Sequence, residues 1–328
     1  MDFKTCFFFG FILFLAEIFY FKTATHFGII DKPNHRSSHT EQTVRGGGVI
    51  ISLAFFLYAM YIRSGYGYFL SGLLIISTVS FIDDIKPLSS KIRIVIHLIA
   101  VSLMFAQINL YSLYFYIIPL ALIFAIGTIN VVNFMDGING LTGLYCLIVL
   151  ITLYYIDLST FFTIPNLLLV SILAMLIFLF FNFRVKAVCF AGDVGSIGVA
   201  FILVFFICQL VLKTQNFSYM LLLLVYYLDA FTTVWFRIIR KENIFKAHRS
   251  HYYQYLANEK KISHLVVSTV YCLIQIIINF LILNLKPGPI SLLFIVVISF
   301  ISFIGLRFLT EGYKTLMGHR YAELNGDV

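Results

Sequence analysis

The chain has 328 residues, 61% of them hydrophobic and only 12% charged. Soluble domains carry about 45–50% apolar and about 25% charged residues, so a water-soluble globule is excluded, and the 17% aromatic content excludes disorder. The net charge of +8 reads, in so apolar a chain, as the loop bias of a membrane protein and not as a nucleic-acid footprint. Five scattered cysteines without a CxxC pair suggest neither a disulfide framework nor a zinc site.

A spanning helix needs about 20 mostly apolar residues. Runs of that kind fall at 3–23, 46–64, 68–85, 92–108, 113–133, 140–157, 163–182, 195–212, 218–236, 264–284 and 289–309. They predict an all-α polytopic membrane protein, a single domain over 1–328 with eleven transmembrane helices. The first run is followed by no small-residue cleavage site, so it is expected to remain a span. Eleven spans divide the loops into two sets. One holds 19 of the 23 Lys and Arg residues, and the other holds Lys4, Arg63, Lys213 and Lys286. That asymmetry predicts the N-terminus outside and the C-terminus in the cytoplasm.

The costly polar residues gather in loops of the predicted cytoplasmic set, at 24–45, 83–91, 130–140, 182–196 and 237–263. Asp83 and Asp84 close the third span, where carboxylates oppose the helix macrodipole; they suggest a cation site or a catalytic base. Asn130, Asn133, Asp136 and Asn139 recur every third position, which on a continuing helix places four oxygen-bearing side chains along one edge. Hard oxygen donors of this kind suit Mg2+ or a sugar nucleotide. Gly192-Asp193-Val-Gly195-Ser196 opens the eighth span, and its backbone N–H groups are expected to turn toward a phosphate. His248, Arg249 and His251 lie in a strongly basic loop and read as phosphate ligands.

In this order the motifs resemble the polyprenyl-phosphate N-acetylhexosamine-1-phosphate transferases, a family of integral membrane enzymes. Asp31-Lys-Pro33-Asn34-His-Arg36-Ser-Ser-His39 and Arg45-Gly-Gly-Gly48 are similar to its first loop. Asp83-Asp84 match its paired aspartates, Asn130–Leu141 its NxxNxxDGxDGL, Phe190–Ser196 its FxGDxGS, and 247–254 its histidine loop. The resemblance implies transfer of a sugar-1-phosphate from a UDP-N-acetylhexosamine to undecaprenyl phosphate, with release of UMP and a requirement for Mg2+ or Mn2+. It implies a multi-pass protein of the bacterial inner membrane with its active site facing the cytoplasm. The implied partners are those two substrates and membrane lipid, without nucleic acid; a homodimer is compatible with it.

Carried over residue by residue, the resemblance makes Asp83, Asp84 and His251 catalytic, and Asp193, Asn133 and Asp136 metal ligands. Asn130, Asn139, Asn182, Phe190, His248, Arg249 and Arg45 become substrate-binding residues. Asn139 stands where the family has Asp, so a charged role is in doubt while a hydrogen-bonding role survives. Gln42 and Val44 replace common prolines, and His97 replaces a common Gln and reads as a core residue. The first loop and the eleventh span look more like the branch that starts O-antigen or capsule than like the wall-precursor branch. An ion-coupled transporter is the alternative from another class; it should place its acids near the midplane and show inverted repeats, whereas here the acids sit at one interface and no repeat is seen.

Overall fold

The computed structural model describes residues 3–33, 41–164, 166–244, 246, 248–285 and 287–318. Helices stand at all eleven predicted positions: α1 (Phe3–His26), α2 (Val49–Tyr61), α3 (Gly67–Ile85), α4 (Ser90–Gln107), α5 (Ile117–Phe134), α6 (Leu141–Thr160), α7 (Leu167–Asn182), α8 (Gly192–Thr214), α9 (Leu224–Ile239), α11 (His264–Leu285) and α12 (Pro289–Glu311). Among the described residues, nine segments are long and apolar enough to cross a membrane, so the protein is multi-pass. The other two, α2 and α7, are apolar but have 13 and 16 residues, about 20 and 24 Å at 1.5 Å per residue, against about 30 Å of hydrocarbon.

The runs did not foretell four smaller elements, two strands and two short helices. A short antiparallel pair, β1 (Ile30–Asp31) with β2 (Thr43–Val44), ties down the first loop. Two short helices, α10 (Tyr252–Asn258) and α13 (Tyr313–Met317), lie between and after the last spans. None carries an apolar stretch of span length, the only signal the hydropathy reading used.

α8 is the core. Most of its residues are fully buried, and it packs against α2, α3, α5 and α6. Phe69 of α3 stacks on Phe201 and Phe205 of α8 at 5.1 and 3.9 Å between ring centroids. Boundaries have local causes. Ser89 caps α4 through the Ile92 N–H, and Pro289 opens α12, where no N–H partner is needed. The segment leading into α9 is a 3-10 turn, Phe217–Leu223. Irregular backbone inside an apolar bundle needs polar partners, and Gln275 of α11 supplies them: it accepts from the Val225 N–H at 3.2 Å and donates to the Leu221 carbonyl at 3.0 Å.

This arrangement brings the C-terminal ends of α3, α5 and α7 to the same end of the bundle as the N-terminal ends of α4, α6 and α8. The polar loops of the sequence therefore meet in space.

Candidate active site

Asp84 organises the centre. Its side chain is fully buried and accepts the backbone N–H groups of Asp193 and Val194 at 2.8 and 3.0 Å. A carboxylate at a helix N-terminus satisfies orphan donors and complements the dipole; here Asp84 ends α3 and caps α8. Arg45 Nε closes the cluster at 2.8 Å. This corrects the expectation that the 192–196 turn offers its N–H groups to a phosphate, because an internal carboxylate occupies those of Asp193 and Val194. Gly192 makes the approach possible: its φ is +70°, and a Cβ there would strike the Asp84 carboxylate and the Gly46 backbone.

Asp83 serves the next turn. It accepts from the Leu88 N–H and pairs with Arg93 at 3.4 Å. Neither aspartate is a solvated helix end.

The expected edge of four polar side chains does not form. α5 stops at Phe134, where the chain turns toward Gly137, so Asp136 and Asn139 lie beyond the helix. Asn130 donates back to the Ile126 carbonyl at 2.7 Å and is not among the residues lining the cavity below. Asn133 accepts the Ser196 hydroxyl at 2.6 Å, joining α5 to α8.

Asn139 uses its amide as a donor. Nδ2 bonds the Arg184 and Val185 carbonyls at 2.9 and 3.2 Å, while the backbone carbonyl of Asn139 accepts the Ser268 hydroxyl at 2.9 Å. The hydrogen-bonding role expected for Asn139 is present, but its partners are acceptors, so Asp is no equivalent here. Asn182 makes a matching tie, accepting the Gly140 N–H and donating to the Cys189 carbonyl, both at 2.8 Å. Phe190 donates its N–H to the Val44 carbonyl at 2.8 Å, holding the first loop beside the entry to α8. That first loop is described at Asp31–Pro33 and from Glu41 onward; Asn34–His39 lie outside the described residues.

These ties enclose a cavity of about 250 Å3. Asp31, Arg45, Asn133, Asp136, Asn139, Asn182, Phe190, Asp193, Gln254 and His264 all line it. Burial pushes the Asp136 carboxyl up to about 7, with the Asp84 charge adding to the effect. Burial disfavours the Arg45 charge, but Asp84, Asp193 and Asp31 outweigh it and hold the guanidinium more firmly protonated.

The histidines stand behind the wall. His251 is buried, its Nδ1 is 3.2 Å from Asp229 Oδ1, and its ring stacks on His248 at 5.0 Å. Burial, with His251 next in weight, pushes His248 down to about 2. His248, Arg249 and His251 are not among the cavity-lining residues; Gln254, from the same motif, is. Asp229 holds this loop by accepting the Tyr252 and Tyr253 N–H groups at 2.9 and 3.1 Å and the Tyr271 hydroxyl at 2.7 Å. Its signal in the sequence is an acid inside an apolar stretch. Asp31 and Gln254 fall within the motifs read from the sequence, whereas His264 lies outside them.

Among the described residues no three His, Cys, Asp or Glu side chains are gathered to hold a metal ion by themselves. The cavity does offer the carboxylates Asp136 and Asp193 and the amide of Asn133. Mg2+ commonly takes one or two carboxylates and completes its shell with substrate phosphates and water. The donor set fits that cation.

Residues 66–211 match the family model described as Glycosyl transferase family 4. The matched stretch contains Asp83, Asp84, Asn133, Asp136, Asn139, Asn182 and Asp193, whereas Arg45, Gln254 and His264 lie outside it. The match supports, in general terms, a membrane transferase of sugar phosphate onto polyprenyl phosphate. No curated protein matches the chain.

Proposed function

We propose that this protein transfers an N-acetylhexosamine-1-phosphate from a UDP-sugar to undecaprenyl phosphate. UMP is released, and the lipid-linked product starts a surface polysaccharide. The observation that carries this reading is the polar cavity built at the helix ends of a multi-pass bundle and lined by Asp136, Asp193 and Arg45. The family match over 66–211 supports it. In this reading the protein lies in the bacterial inner membrane and the cavity faces the cytoplasm.

In the reaction an oxygen of the acceptor phosphate bonds to the sugar-bearing phosphorus, and the bond from that phosphorus to the UMP oxygen breaks. Such transfers depend on positioning and charge neutralisation more than on covalent chemistry by the protein. Asp136 and Asp193, with Asn133, would hold Mg2+ or Mn2+, which when bound neutralises phosphate oxygens. Arg45 places a fixed positive charge at the cavity, and Asp84 holds its guanidinium in place. Asp84, Asn139 and Asn182 fix the three loops that carry these groups. An acceptor whose phosphate rides on a long apolar chain reaches such a site from the bilayer.

The test is to incubate the purified protein with undecaprenyl phosphate, Mg2+ and a panel of UDP-sugars and to measure UMP. Release with one N-acetylhexosamine donor supports the reading and names the sugar; no release with any donor refutes it.

A further inference from the structure

α12 is an unusual helix. It is long and strongly apolar, yet its only fully buried residues are Arg307 and Glu311. Burying a guanidinium is costly unless its donors are satisfied. Here they are, and the partners belong to the histidine loop and its support. Arg307 forms a fork with Glu311 and donates to the Thr232 and Thr233 hydroxyls at 3.1 and 2.9 Å and to the Ser250 carbonyl at 3.0 Å. It also lies over the Phe236 ring, 5.2 Å from the centroid.

Two routes lead from this guanidinium toward the cavity. The first runs along the backbone: Ser250 precedes His251, whose N–H is accepted by Gln254 Oε1 at 3.3 Å, and Gln254 lines the cavity. The second runs through side chains: the Thr233 hydroxyl is 3.2 Å from Asp229 Oδ1, the same oxygen that meets His251 Nδ1. Beyond His251, the Tyr253 hydroxyl donates to the Phe134 carbonyl at 2.9 Å, where α5 turns toward Asp136. A second tie from α12 reinforces the loop, since the Thr310 carbonyl accepts the Tyr255 hydroxyl at 2.6 Å.

We propose that Arg307 is a positioning residue for the transfer reaction, fixing the 250–254 segment and the orientation of His251 from a helix that does not touch the cavity. This rests on the function proposed above. The fork geometry matters, because a lysine keeps the charge but cannot serve Glu311, two hydroxyls and a carbonyl together.

Arg307→Met alone leaves Glu311 buried and unpaired and can fail to fold, so the informative variant is Arg307→Met with Glu311→Met. Replacing a buried ion pair by apolar side chains of similar volume is often neutral for stability. The pair variant is expected to unfold at or above the wild-type temperature while its kcat falls at least ~10-fold. Residues acting as one unit show non-additive effects, so in a His251→Ala background the same two changes should alter kcat by less than ~2-fold. Wild-type kcat in the pair variant, or losses that multiply with His251→Ala, would overturn the proposal. A wild-type protein inactive with every donor refutes the function instead. The loop claim is then read by mass spectrometry of diethylpyrocarbonate labelling at His251: faster labelling in the pair variant sustains it, and equal labelling overturns it.

Discussion

The backbone N–H of Asp193 donates to the Asp84 carboxylate at 2.8 Å, so the residue proposed above to hold a cation is itself held by a neighbour from another helix. Asp84→Asn puts an amide N–H against donors and uncouples Arg45. An unsatisfied buried donor costs about 1–3 kcal/mol. Thermal unfolding of Asp84→Asn in detergent should therefore shift down by several degrees, whereas Asp193→Asn should unfold near the wild-type temperature and lose turnover.

Asn139 gives a sharper contrast. Asp at this position would face the Arg184 and Val185 carbonyls with acceptors only, whereas Ala merely leaves those carbonyls unpaired. Asn139→Asp is expected to be the slower enzyme, with kcat/KM at least ~10-fold below that of Asn139→Ala, about 1.4 kcal/mol. Equal or higher activity for the Asp variant at saturating Mg2+ would show that the amide is not needed as a donor.

Asp136 links the cavity to pH. Burial pushes its carboxyl up to about 7, against 3.8 ordinarily. A raised carboxylate pKa means the fold disfavours the charged form. The resulting penalty is absent below about pH 4, grows as pH rises toward 7, and is complete above it. In EDTA, wild-type stability should fall over that window. Asp136→Asn should lessen the fall while abolishing transfer; an unchanged pH profile of unfolding in the variant would refute the assignment.

The glycines at 48 and 195 face each other. A Cβ on Gly48 would overlap the Cα of Gly195, which is backbone and cannot swing aside, whereas a Cβ on Gly47 meets the Cys189 side chain. Gly48→Ala should therefore push the N-terminal end of α8 away from the first loop and lower activity more than Gly47→Ala does. The reverse order of rates would contradict this packing.

The helices and most cavity residues were legible in the sequence for different reasons. Long apolar runs specify spans because a bilayer leaves the backbone few options, and all eleven runs are helices. Asp136, Asn139, Asn182 and Asp193 could be picked out because polar residues beside spans are costly without a task. What could not be read was partnership. Asp84 caps α8 from 109 positions away in the chain, and Arg307 reaches Ser250 from a helix that looks like a plain lipid-facing span. The every-third spacing from Asn130 to Asn139 suggested one helical edge, but the chain leaves the helix at Phe134 and the last two residues serve a loop. Asp31 and Gln254 lay in recognised motifs, but that they and His264 line one cavity is a matter of tertiary placement.

The most direct test of the central claim is a radiolabel transfer assay with purified protein, undecaprenyl phosphate and the UDP-sugar that gives UMP. The reading predicts label in the lipid phase equal in moles to the UMP released, lost in excess EDTA, restored by Mg2+ or Mn2+, and absent in Asp193→Asn. Label transfer that persists in EDTA, or that Asp193→Asn leaves at the wild-type rate, would contradict a cation-assisted transfer at this cavity.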